Sequence, residues 1–429
     1  MAPAAAGRIL SALTRPDPPQ PADRATTWPI TLNLMMISFV SGAAGAPIVG
    51  ALREGVQDAY GLPFWAVGVA VGVLGAAAGA AGLAVTSLLR RVGRLQFVRA
   101  GLTAFLAGFV VLWLVPAEPA PLGASSIALW MLAAGWFLAT FGRGLTLVSN
   151  AVFTDLWAHR PHTGVILLHA VNAGGKLAAP AVALALLVGA GTRAFQPNAA
   201  VYAAVLAVLL AAALAWPRSG VAALDLPADR GRPPGPSILR NGLFWLVCAE
   251  FVFISGSEAG VASTLASFVE KQRLPVWGLS ARGWSQVVLA AMQGGVLSGR
   301  FIGVWVSGRF GERPIIVACL LCGLAVLPTA LVASPLVYAP AALVLGVAFS
   351  AVWPAHFSLA ARRFPYDKTA LSMGAALGTL VGVNGFVLLA SLAGNDPDRL
   401  PWTLIASTAG LAVYALSLLT VWRVREPRQ

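Results

Sequence analysis

From Gly164 to Ala190 the chain reads GVILLHAVNAGGKLAAPAVALALLVGA, an almost unbroken apolar run. A helix needs about 20 mostly apolar residues to cross a bilayer. The chain offers twelve such windows: 30–52, 63–89, 95–115, 126–151, 164–190, 198–216, 242–268, 283–307, 314–334, 337–361, 369–393 and 401–422. Inside lipid each backbone polar group must be satisfied within its own segment, so runs of this length are confined to helices. Composition agrees, with 58% hydrophobic and 10% charged residues, against about 25% charged in soluble domains. The disordered, fibrous and disulfide-rich classes are excluded on the same figures.

The longest polar break after the N-terminus, RSGVAALDLPADRGRPPGPSILRN, divides the windows six and six. A Pro/Gly/Arg-rich stretch of this kind reads as a linker between bundles. The expected fold is therefore an all-α membrane protein of twelve transmembrane helices in two six-helix bundles. Its organisation is an N-terminal tail over 1–29, a first bundle over 30–217, a linker over 218–241, a second bundle over 242–422 and a tail over 423–429. Small residues in GVLGAAAGAAGLA (Gly72 to Ala84) suit close helix packing.

The formal net charge of +13 could suggest nucleic acid, but its distribution gives another answer. With the N-terminus placed inside, twenty of the 29 Lys and Arg fall on inner tails and loops, six fall outside, and Arg143, Lys176 and Arg300 stand in the membrane. That asymmetry puts both termini in the cytoplasm of a multi-pass inner or plasma membrane protein, with the lipid bilayer as partner and no nucleic acid. The N-terminus has no apolar segment of signal-peptide type. Trp65, Trp113, Trp157, Trp216, Trp245, Trp277, Trp284 and Trp402 lie near expected helix ends, as in an interfacial belt, with Trp28 at the first edge. Trp136 and Trp353 lie deeper. The C-x-x-C of Cys319 and Cys322 has no second pair, so no metal or redox site is expected. AGGK lacks the upstream Gly and the following Ser/Thr of a phosphate-binding loop. The chain is expected to be no enzyme, to need no cofactor and to act as a monomer.

Ionisable groups at bilayer depth are costly and are functional candidates by default. They are Glu250, Glu258, Arg143, Lys176, Arg300, His169 and His356. By helical rise, Glu250 lies about 12 Å and Arg300 about 11 Å from the inner ends of their helices. Their level suggests a structural ion pair. Lys176, Glu258 and Gln293 lie near a more central level, about 18–24 Å up. His169, Asn172 and Lys176 share one helix face, as do Gln286, Gln293 and Arg300, and Arg143, Thr146 and Asn150. Such stripes must face protein or a water-filled cavity. Lys176 and Glu258 form a fixed interhelix bridge or contact substrate. His169 is satisfied locally or transfers protons, as Glu258 could. Trp353 packs or stacks on a sugar face. His356 follows Pro354, which can kink its helix.

The loops after the second and eighth windows echo each other: LLRRVGRLQ (Leu88 to Gln96) and VSGRFGERP (Val306 to Pro314). These residues are similar to the loop signature of the major facilitator superfamily. Arg91, Gly93 and Arg94 match in the first copy and Arg309, Gly311 and Arg313 in the second, while Arg90 and Gly308 stand at the signature's acidic position. The resemblance implies a gating role for both loops. GRGLTLVSNAVFTDLW, LLHAVNAGGKLAAP, ISGSEAGVASTLASFVEK, SGRFIG and GVAFSAVWPAHFSLA further resemble the fucose:proton symporter branch. That branch carries coupling acids in its first and fourth helices. Here the first has none, and Thr146 stands at the matching position of the fourth.

The resemblance implies transport by alternating access, with a small-molecule substrate and protons as partners. The expected solute is small, polar and organic: a sugar, a sugar acid or another organic anion. Lys176, Asn172, His169, Glu258, Gln293, Asn150 and Trp353 are the substrate-binding candidates, with Glu258 and His169 as proton carriers. An efflux pump for amphipathic compounds, or a non-transporting scaffold or receptor on the same fold, are the alternatives.

Overall fold

The computed structural model describes residues 24–44, 64–85, 92–116, 127–157, 161–189, 195–224, 238–272, 276–310, 334–364, 367–393 and 400–417, with Val317, Leu321, Leu331 and Val332 besides. The described residues are helical, apart from short turns and one isolated bridge between Val276 and Leu279.

The helices are α1 Arg24–Ala43, α2 Phe64–Ala84, α3 Arg94–Trp113, α4 Ile127–Thr146, α5 Ser149–Leu156, α6 Pro161–Gly189, α7 Phe195–Leu214, α8 Arg218–Leu224, α9 Gly242–Lys271, α10 Ala281–Phe310, α11 Pro335–Ser350, α12 Val352–Arg363, α13 Lys368–Ala393 and α14 Leu400–Ser417. A short 3₁₀ turn, Ile238–Arg240, precedes α9. Eleven of the twelve expected spans contain a described helix. The ninth, 314–334, lies almost wholly outside the described residues. Seven spans among those described are long and apolar enough to cross a membrane on length and composition alone.

Local chemistry sets several of the ends. Gly93 precedes α3 with φ 82°, a region that favours glycine, which accounts for the glycine of the first loop signature. Asn241 caps α9 by accepting from the Leu243 N–H at 3.0 Å. Pro335 opens α11 at a position where no N–H is needed.

The structure adds detail to four expectations. The first helix begins at Arg24, six residues before the expected start, so part of the expected tail is helical. The expected linker begins with a helix, α8, which packs on α1 and buries Leu224 in the N-terminal core. The fourth and tenth spans are each two helices, broken at 147–148 and at Ala351. Trp157, Trp216 and Trp284 are buried inside the protein, whereas Trp113, Trp130, Trp245 and Trp402 are exposed at the periphery. Trp157 stacks on Phe153 with ring centroids 5.2 Å apart, so its ring is used in packing.

The tenth break has a visible cause. Pro354 lacks the N–H that would bond to the carbonyl of Ser350, four residues earlier, and its ring crowds that carbonyl. The chain stops one helix at Ser350 and starts another, with Pro354 in its first turn.

The N-terminal helices pack around one apolar core, centred on Leu34, Leu102, Phe105, Phe153 and Leu206. Two further clusters fill the C-terminal half, around Phe251 with Phe357 and around Leu265 with Tyr338. The halves meet where α2 packs on α13 and where α6 packs on α10. α1 and α6 touch backbone to backbone: a Cβ on Gly175 would overlap the Phe39 carbonyl, and one on Gly42 the Asn172 carbonyl. That close approach fixes the position of α6 on α1.

Candidate functional site

A cavity lies between the halves. Its lining includes Arg143, His169, Asn172 and Lys176 from the N-terminal half, and Glu258, Gln293, Arg300, Trp353 and Thr379 from the C-terminal half. The empty space within it, open solvent included, is about 680 Å³.

Lys176 projects from α6 and donates from Nζ to Oε1 of Glu258 on α9. The two side chains are only 15% and 12% exposed, so this is a largely buried pair that ties one half to the other. Arg143 and Arg300 both lie close enough to act on the Glu258 carboxylate electrostatically. Among the described lining residues there are three cations, Arg143, Lys176 and Arg300, and one carboxylate, Glu258. With His169 counted neutral, the lining carries a net charge of +2.

Arg300 does not pair with Glu250 as expected. Its Nε donates to the Ser350 carbonyl at 3.0 Å, the group that Pro354 leaves without an intrahelical donor. Its Nη1 donates to the carbonyl of His169 across the interface between the halves. Glu250 lies elsewhere: its Oε2 is 3.0 Å from Nε2 of His356, and its Oε1 accepts from Ser417 Oγ at 2.5 Å. The other ring nitrogen of His356 is 3.0 Å from the Tyr414 hydroxyl. Depth along a helix placed Glu250 and Arg300 at one level, but the direction each side chain takes separates them.

Nε2 of His169 is 3.1 Å from Oδ1 of Asn150, and its ring sits 4.2 Å, centroid to centroid, from Trp353. Asn150 is not among the lining residues; it reaches the site through His169. Nδ2 of Asn172 donates to the Ser38 carbonyl at 2.8 Å, fastening α6 to α1. Trp353 donates from Nε1 to Thr379 Oγ1 at 2.9 Å and stacks on Phe357. Gln293 is fully buried, and neither its amide oxygen nor its amide nitrogen has a hydrogen-bond partner among the described residues.

Ser255 and Thr379, 3.1 Å apart between their hydroxyls, also line the cavity and were not foreseen. Ser255 stands one turn before Glu258, which is the signal that could have found it. Thr379 has no such signal.

At one end of the molecule, Asp155 of α5 bonds to Arg94 Nη1 at 2.6 Å and to Lys368 Nζ of α13 at 2.9 Å. This cluster joins the first signature loop to the C-terminal half, and Arg94 also donates to the Leu224 carbonyl. Of the other expected gating residues, Arg91, Gly311 and Arg313 lie outside the described residues, and Arg309 is placed only as backbone near the end of α10.

Paired helical halves around a polar cavity, with ion pairs joining the halves, define the transporter architecture of a multi-pass membrane protein. The chain belongs to the Major Facilitator Superfamily, which it matches over residues 34–388. No curated protein matches it by sequence. Among solved structures it is similar to the Escherichia coli fucose:proton symporter FucP, at 16% identity over 92% of this chain and 99% of that one, with TM-score 0.58. It is similar to the human organic anion transporter MFSD10 (TETRAN), at 15% identity over 93% and 99%, with TM-score 0.64. It is also similar to the xylose transporter XylE from Escherichia coli, at 13% identity over 92% and 97%, with TM-score 0.69. At these identities the likenesses establish the fold.

Proposed function

We propose that this protein moves a small organic anion across the membrane by alternating access, with protons as the coupling ion. The observation that carries this reading is the Lys176–Glu258 pair, set in a cavity whose described lining holds three cations and one carboxylate. A neutral solute would leave that excess positive charge uncompensated in a site of low dielectric, whereas an anion neutralises part of it. A pump for apolar compounds calls for an aromatic and aliphatic cavity instead. The solved relatives include an organic anion transporter, a fucose:proton symporter and a xylose transporter, which supports a polar organic solute.

The residues suggest a sequence of steps. An incoming carboxylate competes with Glu258 for Lys176. Glu258, released, takes a proton, and the loss of its charge weakens the tie between α6 and α9. The halves are then free to rock about the site. His169, held between Asn150 and Trp353, is the second candidate to carry the proton. The Asp155–Lys368 bond must open when the cavity opens at that end. By the charge asymmetry of the loops this end is cytoplasmic, with both termini on the same side.

The test is a thermal-shift screen of the purified chain, because a ligand of the native state raises its stability. Organic anions should raise the unfolding temperature, and glucose, xylose and lipophilic cations should not. Lys176→Gln should fold and lose the anion response. Glu258→Gln should keep binding and lose pH-dependent transport. An undiminished anion response in Lys176→Gln would show that the lysine is structural and overturn this account of the site.

A further inference from the structure

Two groups in the cavity have no counterpart in the steps above. Arg143 lines the cavity from α4, yet its guanidinium makes no hydrogen bond or ion pair with any described residue. In the empty site Lys176 is engaged by Glu258 and Arg300 by two carbonyls, so among the described lining residues Arg143 is the cation open to a ligand before Glu258 is displaced. Gln293 faces the same cavity from α10 in the other half, fully buried, with both amide atoms unpartnered among the described residues. A buried amide without partners is unfavourable; in a cavity water or a ligand completes it, and a ligand that displaces the water must supply the same hydrogen bonds.

The chemistry of these two groups differs. A guanidinium offers a planar fork of donors that fits a carboxylate with two parallel hydrogen bonds. An amide side chain offers one acceptor and two donors, so it is completed only by a group that both gives and takes a hydrogen bond. A carboxylate cannot do this, because it only accepts. A hydroxyl does. We infer that Arg143 holds the carboxylate of the substrate together with the Lys176 that Glu258 gives up, and that Gln293 binds a hydroxyl on its other end, so that the site selects hydroxy carboxylates of the sugar-acid type over plain carboxylates, dicarboxylates and neutral sugars. This inference rests on the organic-anion reading and narrows it. Because the two groups sit on opposite halves, one molecule touching both reports to each half that the site is filled. A plain carboxylate would satisfy Arg143 and leave Gln293 buried and unpaired. That penalty falls on binding, and a site built to hydrogen-bond a hydroxyl discriminates strongly against the analogue that lacks it.

The experiment compares binding to the full chain in detergent, by calorimetry, of gluconate, glucuronate, hexanoate, adipate and glucose. In the wild type at least one of the two sugar acids should bind, with hexanoate and adipate weaker by about 10- to 100-fold and glucose without measurable binding. Gln293→Leu should bring the sugar acid down to the level of hexanoate while leaving hexanoate no weaker. Arg143→Gln should weaken the sugar acid by about 100-fold or more, and Arg143→Lys should restore only part of the loss. The wild-type series needs no variant, so it decides the question even if a substitution prevents folding. Equal affinity for sugar acid and hexanoate, or wild-type affinity in Arg143→Gln, overturns this inference and leaves the organic-anion reading standing. Binding of glucose with no anion bound, or no binding by any of the five, overturns both.

Discussion

Glu250 is 2% exposed, and its carboxylate is shared between His356 and Ser417 on two other helices. Groups so deeply buried are expensive to leave without partners, so Glu250→Ala and His356→Ala should each destabilise the protein by about 2–4 kcal/mol. Thermal unfolding of the variants checks this. The double variant should be milder than the sum of the two singles, because the sites interact. Glu250 combined with an Arg300 substitution should be additive within about 0.5 kcal/mol. Coupling between Glu250 and Arg300, and none between Glu250 and His356, would contradict the arrangement. At this scale the sequence identified which polar residues stand inside the helices better than it identified their partners. Lys176, Glu258 and Gln293 were legible because polar groups at bilayer depth need a reason to be there. The partner of Arg300 was half legible: Pro354 announces that the Ser350 carbonyl lacks its N–H, but nothing in the order of residues says that Arg300, fifty positions away, supplies the donor. Glu250 was misassigned because depth along a helix says nothing about the direction a side chain takes around it.

α6 carries Lys176, His169 and Asn172 and is held against α1 by the approach of Gly175 to the Phe39 carbonyl and of Gly42 to the Asn172 carbonyl. No side chain fits there, so Gly175→Ala should force the two helices apart and destabilise the protein by about 1–3 kcal/mol. It should also weaken substrate binding, since the polar face of α6 moves with the helix. A variant with unchanged unfolding temperature and unchanged binding would contradict this packing. The second glycine of NAGGK, Gly175, thus has a packing reason, consistent with the missing elements of a phosphate loop. Spans were the most legible elements, because a run of apolar residues of bilayer length has few other uses. The breaks inside the fourth and tenth spans were less so. Pro354 marks the second, whereas Thr146 to Ser149 contains no Pro or Gly and breaks without a local signal. α8 was hidden in a stretch whose Pro, Gly and Arg content reads as linker, yet Val221 and Leu224 supply an apolar face that α1 covers.

Across the whole molecule, three polar contacts among the described residues tie the halves together: Lys176 to Glu258, Arg300 to the His169 carbonyl, and Asp155 to Lys368. The first two lie at the cavity and the third at one end, so a change of charge in the cavity and an opening at that end act on the same interface. Alternating access asks for this property: ligand binding must alter the relative stability of two arrangements of the halves, and it does so only through interactions that differ between them. The family was legible in two short loops and in short patterns along the chain, and the match over residues 34–388 bears the family out. The excess of positive charge in the cavity was not, because it depends on which of the scattered cations the fold brings to one place and on Arg143 being among them. The most direct measurement is uptake into proteoliposomes holding the purified chain, with labelled gluconate outside and an inward proton gradient imposed. The account predicts accumulation that collapses when the gradient is dissipated, and that is absent in Lys176→Gln and reduced to gradient-independent exchange in Glu258→Gln. Saturable gluconate binding with no protein-dependent flux in any gradient would contradict it and identify the chain as a receptor on a transporter fold.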